Sequence, residues 1–370
     1  MRKRISAIIN KLNISIMMMI VVLMIGCGQQ AVEAGKTGAA GGVNGNLGNS
    51  LMELGRSAEN AFYAFIELVS DVLGFTAKSD TTKQEVGGYF NSLGAKLGEA
   101  SNNLEQVAIK AETGVDKSDS SKNPIREAVN EAKEVLGTLK GYVESLGTIG
   151  DSNPVGYANN AAGSGTTAAD DELRKAFKAL QEIVKAATNA GVKALKTGAT
   201  TLQANGGADN KEGAKILATS GGNPSAADVA KAAAILSSVS GEEMLNSIVK
   251  SGENDAQLAA AADGNTSAIS FAKGGSDANL AGANTPKAAA VAGGIALRSL
   301  VKTGKLAAGA ADNATGGGKE VQGVGVAAAN KLLRAVEDII KKTVKNVLGT
   351  AKEKIDKARG MQEPAIEPSK

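Results

Sequence analysis

The chain of 370 residues has no histidine, no tryptophan and a single cysteine, and only ten of its side chains are aromatic, six Phe and four Tyr. Without histidine there is no Ser-His-Asp triad and no Cys-His pair, and a zinc site of ordinary His and Cys ligands is excluded as well. One cysteine leaves no intramolecular disulfide. Carboxylate chemistry is what remains. Two acidic pairs, Asp170-Asp171 and Glu242-Glu243, stand at expected helix starts, where negative charge favours the positive end of the helix dipole. That structural role accounts for them, and no catalytic residue is assigned. Gly35-Lys36-Thr37 looks like the end of a phosphate-binding loop, but the glycine such a loop needs five positions earlier is Gln30. Gly316-Gly317-Gly318 and Gly323-Val324-Gly325 do not match a dinucleotide fingerprint either. The residues point away from an enzyme and imply no metal and no cofactor.

The one cysteine has a marked position. It falls in "MIVVLMIGCGQQ", residues 19–30, where an apolar run ends. Arg2, Lys3, Arg4 and Lys11 make a basic start, and Ile14–Ile25 contains one polar residue, Ser15. A basic start, a short apolar core and a small residue at a boundary make a secretory signal pattern. The twelve apolar-run residues are too few for a membrane-spanning helix, which needs roughly twenty. Leu23-Met24-Ile25-Gly26-Cys27 resembles the lipobox of bacterial lipoproteins, with Met24 where tighter versions carry leucine. The resemblance implies cleavage between Gly26 and Cys27, with Cys27 carrying an S-diacylglycerol and an N-acyl group. Several acyl chains hold a protein stably to a bilayer where one does so marginally.

Removing the signal changes the charge. Four of the 41 basic residues lie in residues 1–26, which hold no acid, so 37 basic residues remain against 38 acidic, a net of −1 where the whole chain is +3. Nothing in that balance favours nucleic acid as a partner.

Residues 28–46, "GQQAVEAGKTGAAGGVNGN", read as a flexible tether with a reach of roughly 25 Å. Apolar residues then recur at spacings of three and four: Leu47, Leu51, Leu54, Ala58, Ala61, Phe65, Leu68, Val72. A second stripe runs Val86, Phe90, Leu93, Leu97, Ala100, Leu104, Val107, Ala111, and a third Ile125, Val129, Ala132, Leu136, Leu139, Val143, Leu146. These are amphipathic helices. Asn123 before Pro124 supplies a cap and a first-turn proline for the third. Breaks near Ser79-Asp80 and Gly114–Asn123 are short, which predicts antiparallel neighbours. Stripes of this kind can also lie on a membrane or a partner helix. Their mixed-sign outer faces, without a lysine-rich polar side, favour packing on one another.

Residues 148–168 read as a loop, and Thr167-Ala168-Ala169-Asp170 as a helix-starting box for a fourth stripe, Leu173, Phe177, Leu180, Val184, Ala187, continuing towards Thr197. From about 198 to 325 the texture turns to short alanine-rich stretches between Gly-Gly and Gly-Asn breaks, and nine of the ten aromatics lie at or before Phe177. Small side chains bury little apolar area each, so this region is expected to be weakly stabilised per residue. Ser240-Gly241-Glu242-Glu243 has the form of a capping box, and Thr285-Pro286 of a helix start. Ala329, Leu333, Val336, Ile340, Val344, Val347, Ala351 and Ile355 make a last stripe of roughly 30 residues, or about 45 Å of helix. The tail 361–370, with two prolines, reads as disordered. The fold class is all-α, a bundle of long amphipathic helices, with one helical domain over 47–360.

Two stretches carry a family resemblance. "KAAAVAGGIALRSLVKTGKLAA" (287–308) and "EEMLNSIVKSGENDAQLAAAADGNTSAISFAKGG" (242–275) resemble the variable large proteins of relapsing-fever Borrelia, related to the Lyme-disease variable surface antigen. The lipobox and the lysine-rich closing helix agree. The resemblance implies a lipoprotein on the outer face of the outer membrane, one member expressed at a time, whose switching presents host antibodies with a new surface. It also implies an elongated bundle, with the N- and C-terminal helices packed together near the membrane and loops at the distal end. On that reading epitopes lie at outward positions of 198–325, and Ile295-Ala296-Leu297 belongs to a hidden frame. A second reading is an adhesin for host matrix or glycosaminoglycan, through a basic patch of Lys273, Lys287, Arg298, Lys302 and Lys305. The sequence leaves association of protomers open.

Overall fold

The computed structural model describes residues 73–112, 124–202, 210–282 and 285–360. Residues 1–72, with Gly26, Cys27, the tether and the first stripe, lie outside them, as do Asn123 and the tail.

α1, Lys83–Glu112, opens with reciprocal hydrogen bonds: the Glu85 N–H donates to the Thr82 hydroxyl at 3.1 Å, and the Thr82 N–H to the Glu85 carboxylate at 2.7 Å. α2, Pro124–Leu146, starts at its proline and buries all seven residues of its stripe. The two helices are antiparallel. Gly87 lies against Gly147, Gly98 against Lys140, and Glu105 pairs with Lys133 and Arg126, each at 2.5 Å.

α3, Asp170–Asn189, departs from expectation at both ends. Its N-terminal flank is Ala169, with no side-chain cap, and the Thr167 hydroxyl donates instead to the Ala168 carbonyl at 3.3 Å. It stops eight residues before Thr197. Gly191, at φ +78°, donates to Thr188, and Val192 donates to Ala187, the paired bonds of a Schellman motif that only a left-handed residue completes.

A 3₁₀ helix (Lys211–Leu217), β1 (Ala218–Ser220), α4 (Ala226–Ser237), α5 (Gly241–Val249), α6 (Ala268–Lys273), β2 (Gly275–Ser276) and α7 (Asp277–Leu280) follow. β1 and β2 pair in parallel through Ala218 and Gly275. Serines cap four of these helices: Ser225, Ser240, Ser267 and Ser276. The Ser240–Glu243 box forms as read from the sequence.

α8, Ala288–Leu300, begins two residues past Pro286, and all thirteen of its residues are buried. Its burial agrees with placing Ile295-Ala296-Leu297 in a hidden frame, and within 198–325 this helix departs from the expectation of little buried area per residue. Small residues here act by letting backbones approach. A Cβ on Gly294 would lie 2.5 Å from the Phe271 Cβ, and one on Gly293 3.1 Å from Ile248, so α8 nests directly on α6 and α5. A helix apolar on every side belongs inside.

α9, Gly318–Gly360, has 43 residues, or about 65 Å, against the 30 expected. Its first turns run through Gly323 and Gly325, inside the region read as broken. Gly325 costs helix propensity, but a Cβ there would meet the Gly156 Cα at 2.6 Å, so close packing sets its identity. All eight residues of the last stripe are buried. Among the described residues no helix is long and apolar enough to cross a membrane.

Candidate functional site

The stretch 287–308 ends in a polar junction inside the protein. Arg298, in the last turn of α8, is fully buried. Its Nε donates to the Ala272 carbonyl at 2.6 Å, and a second guanidinium nitrogen, Nη2, has no partner. Gly274, at φ +78°, makes the space, since a Cβ there would collide with that nitrogen. Burial without a carboxylate lowers the Arg298 pKa to about 9.

A second cation comes from the far end of the sequence. Lys83 is 1 % exposed, and its ammonium donates to the carbonyls of Val301 at 2.8 Å and Gly304 at 2.7 Å. Val301 is the C-cap of α8, so Lys83 sits at a helix C-terminus and meets its negative dipole end. Burial lowers the Lys83 pKa to about 8, with Asp151 opposing and Arg298 adding to the shift. Asp151 is raised by burial, but the Thr303 N–H at 2.8 Å, Lys83 and Asn153 outweigh this and hold it below the ordinary carboxylate value. Thr303, at φ 63°, is the only non-glycine residue with positive φ among the described residues, and its hydroxyl donates to the Thr167 carbonyl at 3.0 Å. A strained residue held by two bonds marks a loop fixed in one conformation. The Lys83 amine lies enclosed, committed to two carbonyls, and pins the fold.

A carboxylate forms a second node. Glu337, on α9, accepts from the Tyr89 hydroxyl at 2.5 Å and from the backbone N–H groups of Gly74 and Phe75. Burial raises its pKa above the ordinary value, and burial with this hydrogen bond raises that of Tyr89. Phe75 stacks on Tyr89 with ring centroids 4.9 Å apart. Earlier on α9, Asn330 exchanges hydrogen bonds with both backbone groups of Ala77, at 2.8 and 2.9 Å, and Gln322 donates to the Ser79 carbonyl at 2.8 Å. Residues 73–82 are thereby strapped along the helix.

The residues singled out in the sequence resolve differently. Asp170 pairs with Lys273 at 3.2 Å and Asp171 with Arg174 at 3.3 Å, while Glu172 takes both Lys175 and Lys302. Glu242 accepts the Lys196 N–H at 2.9 Å, and Glu243 closes the capping box. Both acidic pairs therefore have structural partners. The basic patch is corrected. Arg298 is interior, Lys273 and Lys302 are neutralised by carboxylates, and Lys305 sits 5.8 Å from the Tyr157 ring centroid, leaving Lys287 exposed. Cys27 and Gly26 fall outside the described residues. Among the described residues no group of three or more His, Cys, Asp or Glu could hold a metal ion. Sequence reasoning does not single out Lys83 or Glu337. For Lys83 one signal is present: a cation in the first turn of a helix opposes the dipole and needs a reason.

Comparison with known proteins places this architecture. Residues 58–355 match the family described as Borrelia lipoprotein. Variable large protein 7 of Borrelia hermsii is 94 % identical over 370 residues, all of both chains. Variable large protein 21 of the same organism is 63 % identical over 97 % of this chain and 98 % of its own. Among solved structures, the Lyme disease variable surface antigen VlsE of Borrelia burgdorferi superposes with a TM-score of 0.64 at 25 % identity, over 83 % of this chain and 97 % of that one. With a family match over residues 58–355 and 94 % identity along its full length to a variable large protein, the chain belongs to the Borrelia lipoprotein family, among the variable large proteins.

Proposed function

We propose that this chain is a surface-exposed lipoprotein antigen, anchored in the outer membrane through acylated Cys27, whose outward positions differ among alternately expressed relatives and so evade host antibodies. The observation that carries the reading is similarity to variable large proteins over the whole chain, joined to the likeness to a variable surface antigen. The packing supports it. The buried junctions hold the fold through interior contacts, so exposed positions are free to change: substitutions there, away from caps and ion pairs, fall within about 0.5 kcal/mol of neutral. Such a coat acts by presenting a surface and has no reaction to perform.

The test is protease treatment of intact cells expressing the native chain or Cys27→Ala, followed by detergent phase partitioning. The native protein is expected to be shaved away and to enter the detergent phase, and the variant to do neither. Native protein that partitions into detergent yet survives the protease would be lipidated but shielded, and the antigen reading would fail.

A further inference from the structure

Along one side of α9 runs a groove of about 590 Å³, walled by the turn after α3 and the start of α5. Its floor is aliphatic, with Val192, Leu195, Ala335 and Ile339. Its rim is cationic: Lys193, Arg334 and Lys342 are exposed, and none is in an ion pair with a described residue. Other surface cations that face a neighbouring element do find a carboxylate, as in Lys231–Glu212 and Lys354–Glu131. Of the two acids in the groove, Glu242 is engaged by the Lys196 N–H and Asp338 stands free.

The walls are fixed before anything binds. Lys331 donates to the carbonyls of Leu236 and Val239, at 2.5 and 2.7 Å, and holds the end of α4. Asn346 donates to the Ala190 carbonyl at 3.1 Å and holds the end of α3. From Ala327 to Lys342 the lining covers 15 residue steps of α9, about 22 Å, or four turns of a helix lying alongside.

We propose that this groove docks an acidic amphipathic helical peptide, aliphatic side chains on the floor and carboxylates against Lys193, Arg334 and Lys342. Charge complementarity selects an anion, because the rim cations have no ion-pair partner among the described residues. The floor selects a peptide over a glycan: among the described residues no aromatic ring lines it for a sugar to stack on, and its aliphatic surface suits the apolar face of a helix. This inference is independent of the antigen reading, since a variable coat protein needs no such groove.

The probe is a labelled peptide of about 18 residues held helical by a side-chain staple, with leucine at i, i+3, i+4 and i+7, four glutamates on the flanks of that stripe and alanine or glutamine elsewhere, titrated by fluorescence anisotropy against the full-length protein. Saturable binding that weakens with salt is expected, with affinity falling at least about tenfold in Arg334→Glu/Lys342→Glu. That variant is expected to gain affinity for the same peptide with lysine in place of glutamate. The substituted residues are exposed, so helix content and melting temperature should hold; Lys193→Glu, on the opposite wall, gives an independent variant. No saturable binding, equal binding by the double variant, or a heparin oligosaccharide binding the groove where the peptide does not would each overturn the proposal.

Discussion

The ammonium of Lys83, the first residue of α1, donates at 2.8 Å to the carbonyl of Val301, the C-cap residue that follows α8. The two are 218 positions apart in the chain. This contact closes the C-terminus of the central helix with a charge from the first described helix, and orders the loop that carries Thr303 and Gly304. Lys83→Met would leave the buried Gly304 carbonyl without a donor and the Val301 carbonyl with only the Gly304 N–H at 3.2 Å, which costs on the order of 1–3 kcal/mol. Denaturant unfolding at pH 7 checks the loss; a variant as stable as the native chain would deny Lys83 this role.

The same lysine makes a pH signature. Its folded pKa, about 8, lies below the ordinary 10.5, so between those values the unfolded chain binds the extra proton. Stability then rises with pH across that window, by on the order of 3 kcal/mol if the group is isolated. Tyr89 acts in the opposite sense above about pH 10, because its folded pKa is raised. The gain from Lys83 is therefore expected to begin near pH 8, with Arg298, whose pKa burial lowers to about 9, adding in the same sense above pH 9; Lys83→Met is expected to lose the part between pH 8 and 9 and to keep the Arg298 part. A native chain whose melting temperature falls steadily from pH 8 would contradict this.

Glu337 predicts a slope at the acid side. Its folded pKa is raised, chiefly by burial, so the folded state holds a proton the unfolded state has released. Stability contributed by that proton is present at low pH and lost as pH rises through the folded value. Asp338 is the charged neighbour that adds to the shift. Glu105 and Glu172, whose values are lowered, lose stability as pH falls, so the comparison must be with a variant. Glu337→Gln keeps an acceptor for Tyr89 and removes the titration. Its melting curve is expected to match the native one near pH 4.5, to lie above it by pH 7, and to lack the Glu337 part of the slope.

Glycines separate two kinds of position. Gly137 and Gly349 sit inside helices with nothing within 4 Å of where a methyl group would stand, and alanine there is expected to stabilise by about 0.5–1 kcal/mol. Gly294→Ala would place its Cβ 2.5 Å from the Phe271 Cβ and 3.0 Å from the Ala272 nitrogen, and is expected to destabilise by about 1–3 kcal/mol despite the better propensity. Thermal unfolding of the three variants decides; a stable Gly294→Ala would mean that α6 and α8 can separate.

What is legible in the sequence follows the reach of each signal. The α2 stripe and the Ser240–Glu243 box depend on residues three and four apart, and both appear as read. In α3 the spacing picks out Val184 where its neighbour Ile183 is the buried one, because adjacent aliphatics blur the period. α8 has no polar face from which a period could be read, so its depth is invisible to composition. Lys83 to Val301, and Asn330 to Ala77 across 253 positions, are pairings that no local window contains.

The burial of α8 gives the last prediction. Ile295 and Ala296 are 0 % exposed and Leu297 1 %, and the loop that follows is pinned by Lys83 and Asp151. An antibody needs several contiguous side chains or a displaced segment, and displacing α8 would open its contacts with α5, α6 and α9 together. Antibodies raised against a peptide of residues 287–308 are therefore expected to bind the denatured protein strongly and the native protein weakly. Lys83→Met loosens the end of that segment, so native binding is expected to rise in the variant. Equal, strong binding to native chain and variant would place this stretch at the surface and remove the argument that the antigen hides its central helix.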